Sequence, residues 1–180
     1  AFGESMIAAL TVSSRIAALA YMIMIGWGQG FQPICAMNYG AKQYDRVKKS
    51  LELTVWIGTI FLLVASILLA ICAKPVTAVL SQDEEVIRLG VQILRLQCIS
   101  LPFLGFYAVS SMYMQNIGQY SRALWISVAR QGIFYIPLLF FLLAIGGRTG
   151  LFLVQPAADL LATVFAAFIL WKYLDVNDRI

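Results

Sequence analysis

Leu53-Thr-Val-Trp-Ile-Gly-Thr-Ile-Phe-Leu-Leu-Val-Ala-Ser-Ile-Leu-Leu-Ala-Ile-Cys-Ala73 contains no charged residue. At about 1.5 Å per residue, a helix of that length spans roughly 30 Å, the thickness of a bilayer's hydrocarbon core. The pattern repeats on both sides. No charge lies between Arg15 and Lys42, or between Arg95 and Arg122. Arg130 alone interrupts 123–147, and Asp159 alone interrupts 151–171. Buried helices of soluble proteins rarely run so long, and five in succession leave no polar surface to face water.

Composition agrees. Hydrophobic residues make up 61% of the 180 positions and charged residues 12%, against about 25% charged in soluble domains. The apolar runs are too long for the roughly 9–11 residues of a membrane β-strand. The sequence therefore predicts an all-α transmembrane fold over 1–180, with five spans near 6–37, 51–73, 87–114, 122–145 and 150–172. The first run exceeds one crossing, so part of 3–14 is expected to be a loop or surface cap. Asn38-Tyr39-Gly40 closes the first span, with Gly40 suited to the cap, and Lys74-Pro75 closes the second. Asn116-Ile117-Gly118 closes the third. The short turn 146–150 makes the last two spans antiparallel neighbours.

Charge placement sets the expected orientation. The loop 41–49 carries Lys42, Arg46, Lys48 and Lys49 against Asp45, whereas the next loop offsets Lys74 with Asp83, Glu84 and Glu85. Arg122 borders the third loop, Arg148 lies in the fourth, and Lys172 and Arg179 lie in the tail. The positive-inside rule puts the first and third loops and the C-terminus in the cytoplasm. Trp56, Trp125 and Trp171 fall near the cytoplasmic ends, where interfacial aromatics anchor. An odd span count, an extracytoplasmic N-terminus and no initiator Met read as a fragment of a longer protein.

Chemistry is sparse. Cys35, Cys72 and Cys98 sit singly in apolar segments and there is no histidine, so no metal, redox or cofactor role is expected. No nucleophile is paired with a base, and no phosphate loop is present; the chain does not read as an enzyme. Nothing suggests nucleic-acid binding.

Three features stand out against this background. Gly26-Trp27-Gly28-Gln29-Gly30-Phe31-Gln32-Pro33 is poor helix material. It serves either close helix packing, with Gln29 and Gln32 bonding neighbours, or the wall of a watery cavity. Asp159 lies near the bilayer middle, where a charge costs about 2.5–3.5 kcal/mol on insertion scales and calls for a partner or a function. Arg15 and Arg130 are the candidate partners, Arg15 being nearer in depth. Asp159 is thus either a hydrogen-bonding pin or a proton or cation site. Finally, Pro33, Pro102, Pro137 and Pro156 are candidate kinks.

Gly30-Phe-Gln-Pro-Ile-Cys-Ala-Met-Asn38-Tyr-Gly-Ala-Lys-Gln-Tyr-Asp-Arg46-Val resembles the multidrug and toxic compound extrusion (MATE) family. There, a "QG-x-QPI … NYGAK … RV" pattern closes the second helix of the C-terminal half. Ile99-Ser-Leu-Pro-Phe with Gln115-Asn-Ile-Gly118 resembles the family's tenth helix. Arg130-Gln with Ile136-Pro137 resembles its eleventh, and Pro156-Ala-Ala-Asp159 its twelfth. The pattern is most similar to the bacterial DinF-like branch.

The resemblance implies most of one six-helix bundle of a twelve-helix transporter, without the N-terminal bundle and the seventh helix. It implies H+ or Na+ exchange for small cationic, amphipathic drugs by alternating access, in the bacterial cytoplasmic (inner) membrane. Gln29, Gln32, Asn38, Gln115 and Asp159 would then line or flank the central cleft. In the sodium-coupled branch the tenth helix carries a cation-binding acid, but 103–111 has none here. Asp159 or Glu4 is the remaining candidate in this chain; otherwise the ion site lies in the N-terminal bundle. The alternatives are a lipid-linked precursor flippase of the same superfamily and a non-transport structural membrane subunit.

Overall fold

A computed structural model describes residues 3–177. Arg179, counted above among the tail's positive charges, lies outside them. The described residues form helices and contain no strand. In chain order these are α1 (Glu4–Gly40), α2 (Tyr44–Ile71), the short α3 (Ala73–Leu80), α4 (Glu84–Ser100) and α5 (Phe103–Asn116). Then come α6 (Tyr120–Gly147) and α7 (Thr149–Tyr173). α1, α2, α6 and α7 are each long and apolar enough to cross a membrane. α4 and α5, bent by 53° at a short break, are together long and apolar enough for one more, giving four to five spans.

The expected loop within 3–14 is not there. α1 runs unbroken for 37 residues, roughly 55 Å and so longer than the hydrocarbon core is thick. Its buried positions Met6, Ala9, Ser13, Ile16, Ala20, Met24, Gly28, Phe31 and Cys35 recur every three or four residues, which is one helix face. That face packs on α4 near its start: Met6 and Ala9 cluster with Val86 and Ile93. The Ser13 hydroxyl also donates to the Gly90 carbonyl at 2.9 Å. Tertiary packing, invisible in the hydropathy profile, keeps the first turns helical.

The breaks have local causes. α1 ends with Gln43 N–H bonded to the Asn38 carbonyl at 2.9 Å and Lys42 N–H to Tyr39 at 3.0 Å. This is a Schellman closure whose left-handed residue is Lys42 (φ 58). Gly40, expected as the cap, is helical. α5 closes the same way, and here a glycine does take the left-handed position: Gly118 has φ 80, and Gln119 N–H bonds the Met114 carbonyl at 2.8 Å. Lys74-Pro75 falls in the first turn of α3, where a missing N–H costs little. Asp83 caps α4 by accepting from Glu85 N–H at 2.8 Å. α6 and α7 are separated only by the Gly147 backbone (φ 51, ψ −124). They then run so close that a side chain at Gly150 would collide with the Leu142 carbonyl.

The core lies where α1, α2, α5 and α7 meet, around Met24, Phe31, Leu62, Leu104, Met114 and Ala166. Small residues set the closest crossings, as is usual where lipid removes a hydrophobic drive between helices. A Cβ at Gly105 would lie 3.0 Å from the Thr59 nitrogen and 3.1 Å from the Gly58 carbonyl carbon, so α2 and α5 meet backbone to backbone. Gly28 sits against Met112, whereas Gly26 and Gly30 face open space. One glycine of the three in that motif serves packing. The outer faces are rich in large apolar side chains such as Met22, Trp27, Trp56, Phe140, Phe141 and Trp171.

Candidate functional site

The middle of α7 carries Asp159, 3% exposed. Arg130 of α6 donates from Nε to Asp159 Oδ1 at 2.7 Å. Gln155, one turn earlier on α7, donates to the same oxygen at 2.9 Å. Ser100, the last residue of α4, donates to Oδ2 at 3.1 Å, sharing its proton with the Gln97 carbonyl. Three helices thus converge on one carboxylate. A buried charge with an opposite partner and further hydrogen bonds is the arrangement that makes burial tolerable.

Arg130 leaves α6 at a point where it is not a regular α-helix. Residues Ala129–Phe134 form a π-helical turn. Pro137 explains it: the residue has no N–H to donate to the Ile133 carbonyl and its ring crowds that carbonyl, so the chain takes an extra residue in the preceding turn. The Tyr107 hydroxyl lies 3.2 Å from the Ile126 carbonyl and 3.3 Å from that of Ser127, just before the turn. Ser111 and Ser127 hydroxyls are 2.9 Å apart. α5 therefore holds the entrance to the π-turn. The Arg130 guanidinium also lies against two rings, 5.0 Å from the Tyr21 centroid and 6.0 Å from that of Tyr107.

The pair forms one wall of a cavity of about 320 Å³, with Ser14, Tyr21, Gln97, Leu104 and Gln131 around it. A second cavity of about 420 Å³, reaching Thr11, Arg15 and Tyr135, shares Ser14, Ala18, Gln97 and Gln155 with the first. Together they open a partly polar route from the Arg15 side of the bundle toward Asp159. Gln97 Nε2 bonds Ser14 Oγ at 3.3 Å, and its Oε1 is buried without a partner.

Of the residues singled out from sequence, Asp159 stands in this site with one of its two candidate partners, Arg130. Arg15, favoured on depth as its partner, is exposed and lines the outer cavity; Arg130 holds the position instead. Depth along the chain misled because it ignores which face of a helix a residue occupies, and phase turns Arg15 outward while Arg130 meets Asp159. Gln29 is exposed, Gln32 half-buried, and the Asn38 amide donates to Ile34 O of its own helix at 2.7 Å. Gln115 is exposed beside Ser121 and Ser127 in a separate depression. Pro102 marks the α4–α5 break and Pro137 the π-turn, while α1 and α7 remain helical through Pro33 and Pro156. Sequence reading missed Tyr21, Gln97, Ser100 and Gln155. Only Gln155 carried a local signal, the four-residue spacing that stacks it on Asp159. Glu4 opens α1, away from this cavity. Among the described residues no three His, Cys, Asp or Glu side chains group as a metal site, and Cys35, Cys72 and Cys98 are unpaired.

Comparison with known proteins extends the picture. The MatE family model matches residues 1–141. The multidrug export protein MepA of Staphylococcus aureus is 26% identical over 175 residues, covering 97% of this chain and 38% of MepA. The FAD transporter of Shewanella oneidensis is 28% identical over 159 residues, 88% of this chain and 35% of that protein. Among solved structures, a ligand complex of the MATE multidrug transporter DinF-BH superposes with a TM-score of 0.81 at 34% identity, covering 88% of this chain and 35% of that one. The chain spans less than two-fifths of the length of these relatives.

Proposed function

The chain belongs to the MatE family, and on that premise we propose that it is part of a multidrug efflux antiporter that exports cationic amphipathic compounds. The observation that carries this reading is the likeness, over nearly the whole chain, to a multidrug export protein. The likeness to the multidrug transporter DinF-BH supports it. The protein alternates between inward- and outward-facing states and couples export to H+ or Na+. It is multi-pass in the bacterial inner membrane, with the exposed Lys42, Arg46, Lys48 and Lys49 and the C-terminus in the cytoplasm. The apolar outer faces meet lipid and an N-terminal bundle.

Within that cycle the Arg130–Asp159 pair ties α6 to α7. The carboxylate already accepts from Arg130, Gln155 and Ser100, so a sodium ion there would have to displace a guanidinium. The coupling cation is accordingly assigned to a carboxylate of the N-terminal bundle, and Asp159 to holding the C-terminal bundle together during transport. The FAD transporter supports a second reading, in which the cargo carries phosphate. A pyrophosphate, lipid-linked or not, meets one obstacle at this site, because Asp159 offsets the charge of Arg130.

Efflux of a cationic rhodamine dye from a drug-sensitive bacterial host tests the first reading. Cells making the full-length protein should accumulate less dye than vector controls, and a protonophore or sodium removal should abolish the difference. Equal accumulation with the protein present in the membrane would overturn it.

A further inference from the structure

Arg130 uses only part of its donor capacity on Asp159. Its Nε makes the 2.7 Å bond, while among the described residues neither terminal nitrogen has a hydrogen-bond partner. Neither is a buried orphan: the only buried side-chain atoms without partners among the described residues are Gln97 Oε1 and Ser110 Oγ. The terminal nitrogens therefore reach open space, and Arg130 is one of the residues that line the 320 Å³ cavity. The Tyr21 and Tyr107 rings hold the guanidinium plane. Leu101 and Leu104 give the cavity an apolar wall.

The cavity's capacity is thus lopsided. Asp159 already accepts from three donors, so it has little left to offer a ligand's cation. What faces the cavity is a rigid pair of charged N–H groups, a geometry that matches a carboxylate or phosphate in two parallel bonds. We propose that the terminal nitrogens of Arg130 form an oxyanion subsite for the carboxylate or phosphate group of an amphipathic solute, whose apolar body rests on Tyr21, Leu101 and Leu104. With Asp159 in place, one guanidinium between two oxyanions leaves a single net negative charge, so a monoanion fits and a dianion does not. A zwitterionic cargo could then present its anionic end to this bundle and its cationic end elsewhere. Treating the ligand as a solute in transit rests on the transporter reading; the subsite itself does not.

The test is equilibrium binding to the full-length protein in phosphatidylcholine nanodiscs. The probes are 1-naphthoate and its uncharged methyl ester, with phenyl phosphate as a competitor. The acid should bind saturably and at least about tenfold tighter than the ester, and at about pH 5, where it is mostly the monoanion, phenyl phosphate should displace the acid. Arg130→Lys, which keeps the charge but loses the fork, should weaken the acid about tenfold and leave the ester unchanged. Adding phosphatidylglycerol should not displace the acid. Equal binding of acid and ester, or undiminished acid binding by an Arg130→Lys protein with unchanged melting temperature, overturns the subsite. Displacement by phosphatidylglycerol shows a lipid-headgroup site and overturns the solute assignment. Dye efflux separates the two ideas: efflux without acid binding defeats the subsite alone, and acid binding without efflux defeats the transporter reading alone.

Discussion

Arg130 Nε and Asp159 Oδ1, 29 positions apart in sequence, stand 2.7 Å apart across the α6–α7 contact. Both come from helices in which each is the only charge of its apolar run. In a bilayer, neither charge is tolerated without the other, so the bond joins two helices by necessity as well as by attraction.

Stability should show that mutual dependence. Asp159→Leu or Arg130→Met alone leaves an uncompensated buried charge and should cost about 3–5 kcal/mol. The double substitution should recover most of that loss, because an apolar pair needs no compensation. Thermal melting of the four proteins in detergent gives the cycle. Additive losses would refute the pairing.

The π-turn should control whether the pair forms. Pro137→Ala restores the missing N–H, allowing α6 to become regular and turning residue 130 by roughly 100° relative to the rest of the helix. Repeating the Arg130/Asp159 cycle in that background should give a coupling energy below about 1 kcal/mol. An unchanged coupling would mean that Arg130 reaches Asp159 without the π-turn.

Glycine substitutions should separate backbone crossings from softer contacts. Gly105→Ala brings a methyl group to 3.0 Å from Thr59 N, a backbone atom that cannot yield without moving α2, and should cost about 1–3 kcal/mol. Gly28→Ala meets the thioether end of Met112, which repacks readily, and should be milder. A melting temperature for Gly28→Ala below that of Gly105→Ala contradicts this ranking.

The cavities should be wet. In a cysteine-free background, Ser14→Cys sits in the wall shared by both cavities and should react with a charged, membrane-impermeant methanethiosulfonate. Ser110→Cys, fully buried, should not. Mass spectrometry of the labelled protein reads both, and labelling of the two at equal rates would rule out a hydrated route past Ser14.

Much of this architecture was legible in sequence. The uncharged run 53–73 and its four companions specify membrane helices because hydrocarbon leaves the backbone few other choices. The MatE membership was legible in the stretch from Gly30 to Arg46 and in the motifs around Pro102 and Pro137, all within the matched residues 1–141. Site geometry was less so. Asp159 announced itself by its cost, but Arg15 looked the better partner because depth ignores helix phase, which turns Arg15 outward. Gln97, Ser100 and Tyr21 look ordinary in sequence. They matter only because the break at Leu101-Pro102 and the crossing of α1 bring Gln97 and Tyr21 to the same cavity and Ser100 to the Asp159 carboxylate. The glutamines of α1 drew attention as polar residues in an apolar helix, yet only their helical phase decides what they face. That phase turns Gln29 outward.

The most direct test of the account is rhodamine efflux by the full-length protein carrying Asp159→Asn, compared with wild type at equal membrane abundance. Asparagine keeps the shape but removes the charge that holds Arg130 between α6 and α7, so dye export should fall by at least about tenfold. Export at the wild-type rate would contradict the claim that the Arg130–Asp159 pair holds these helices together for transport.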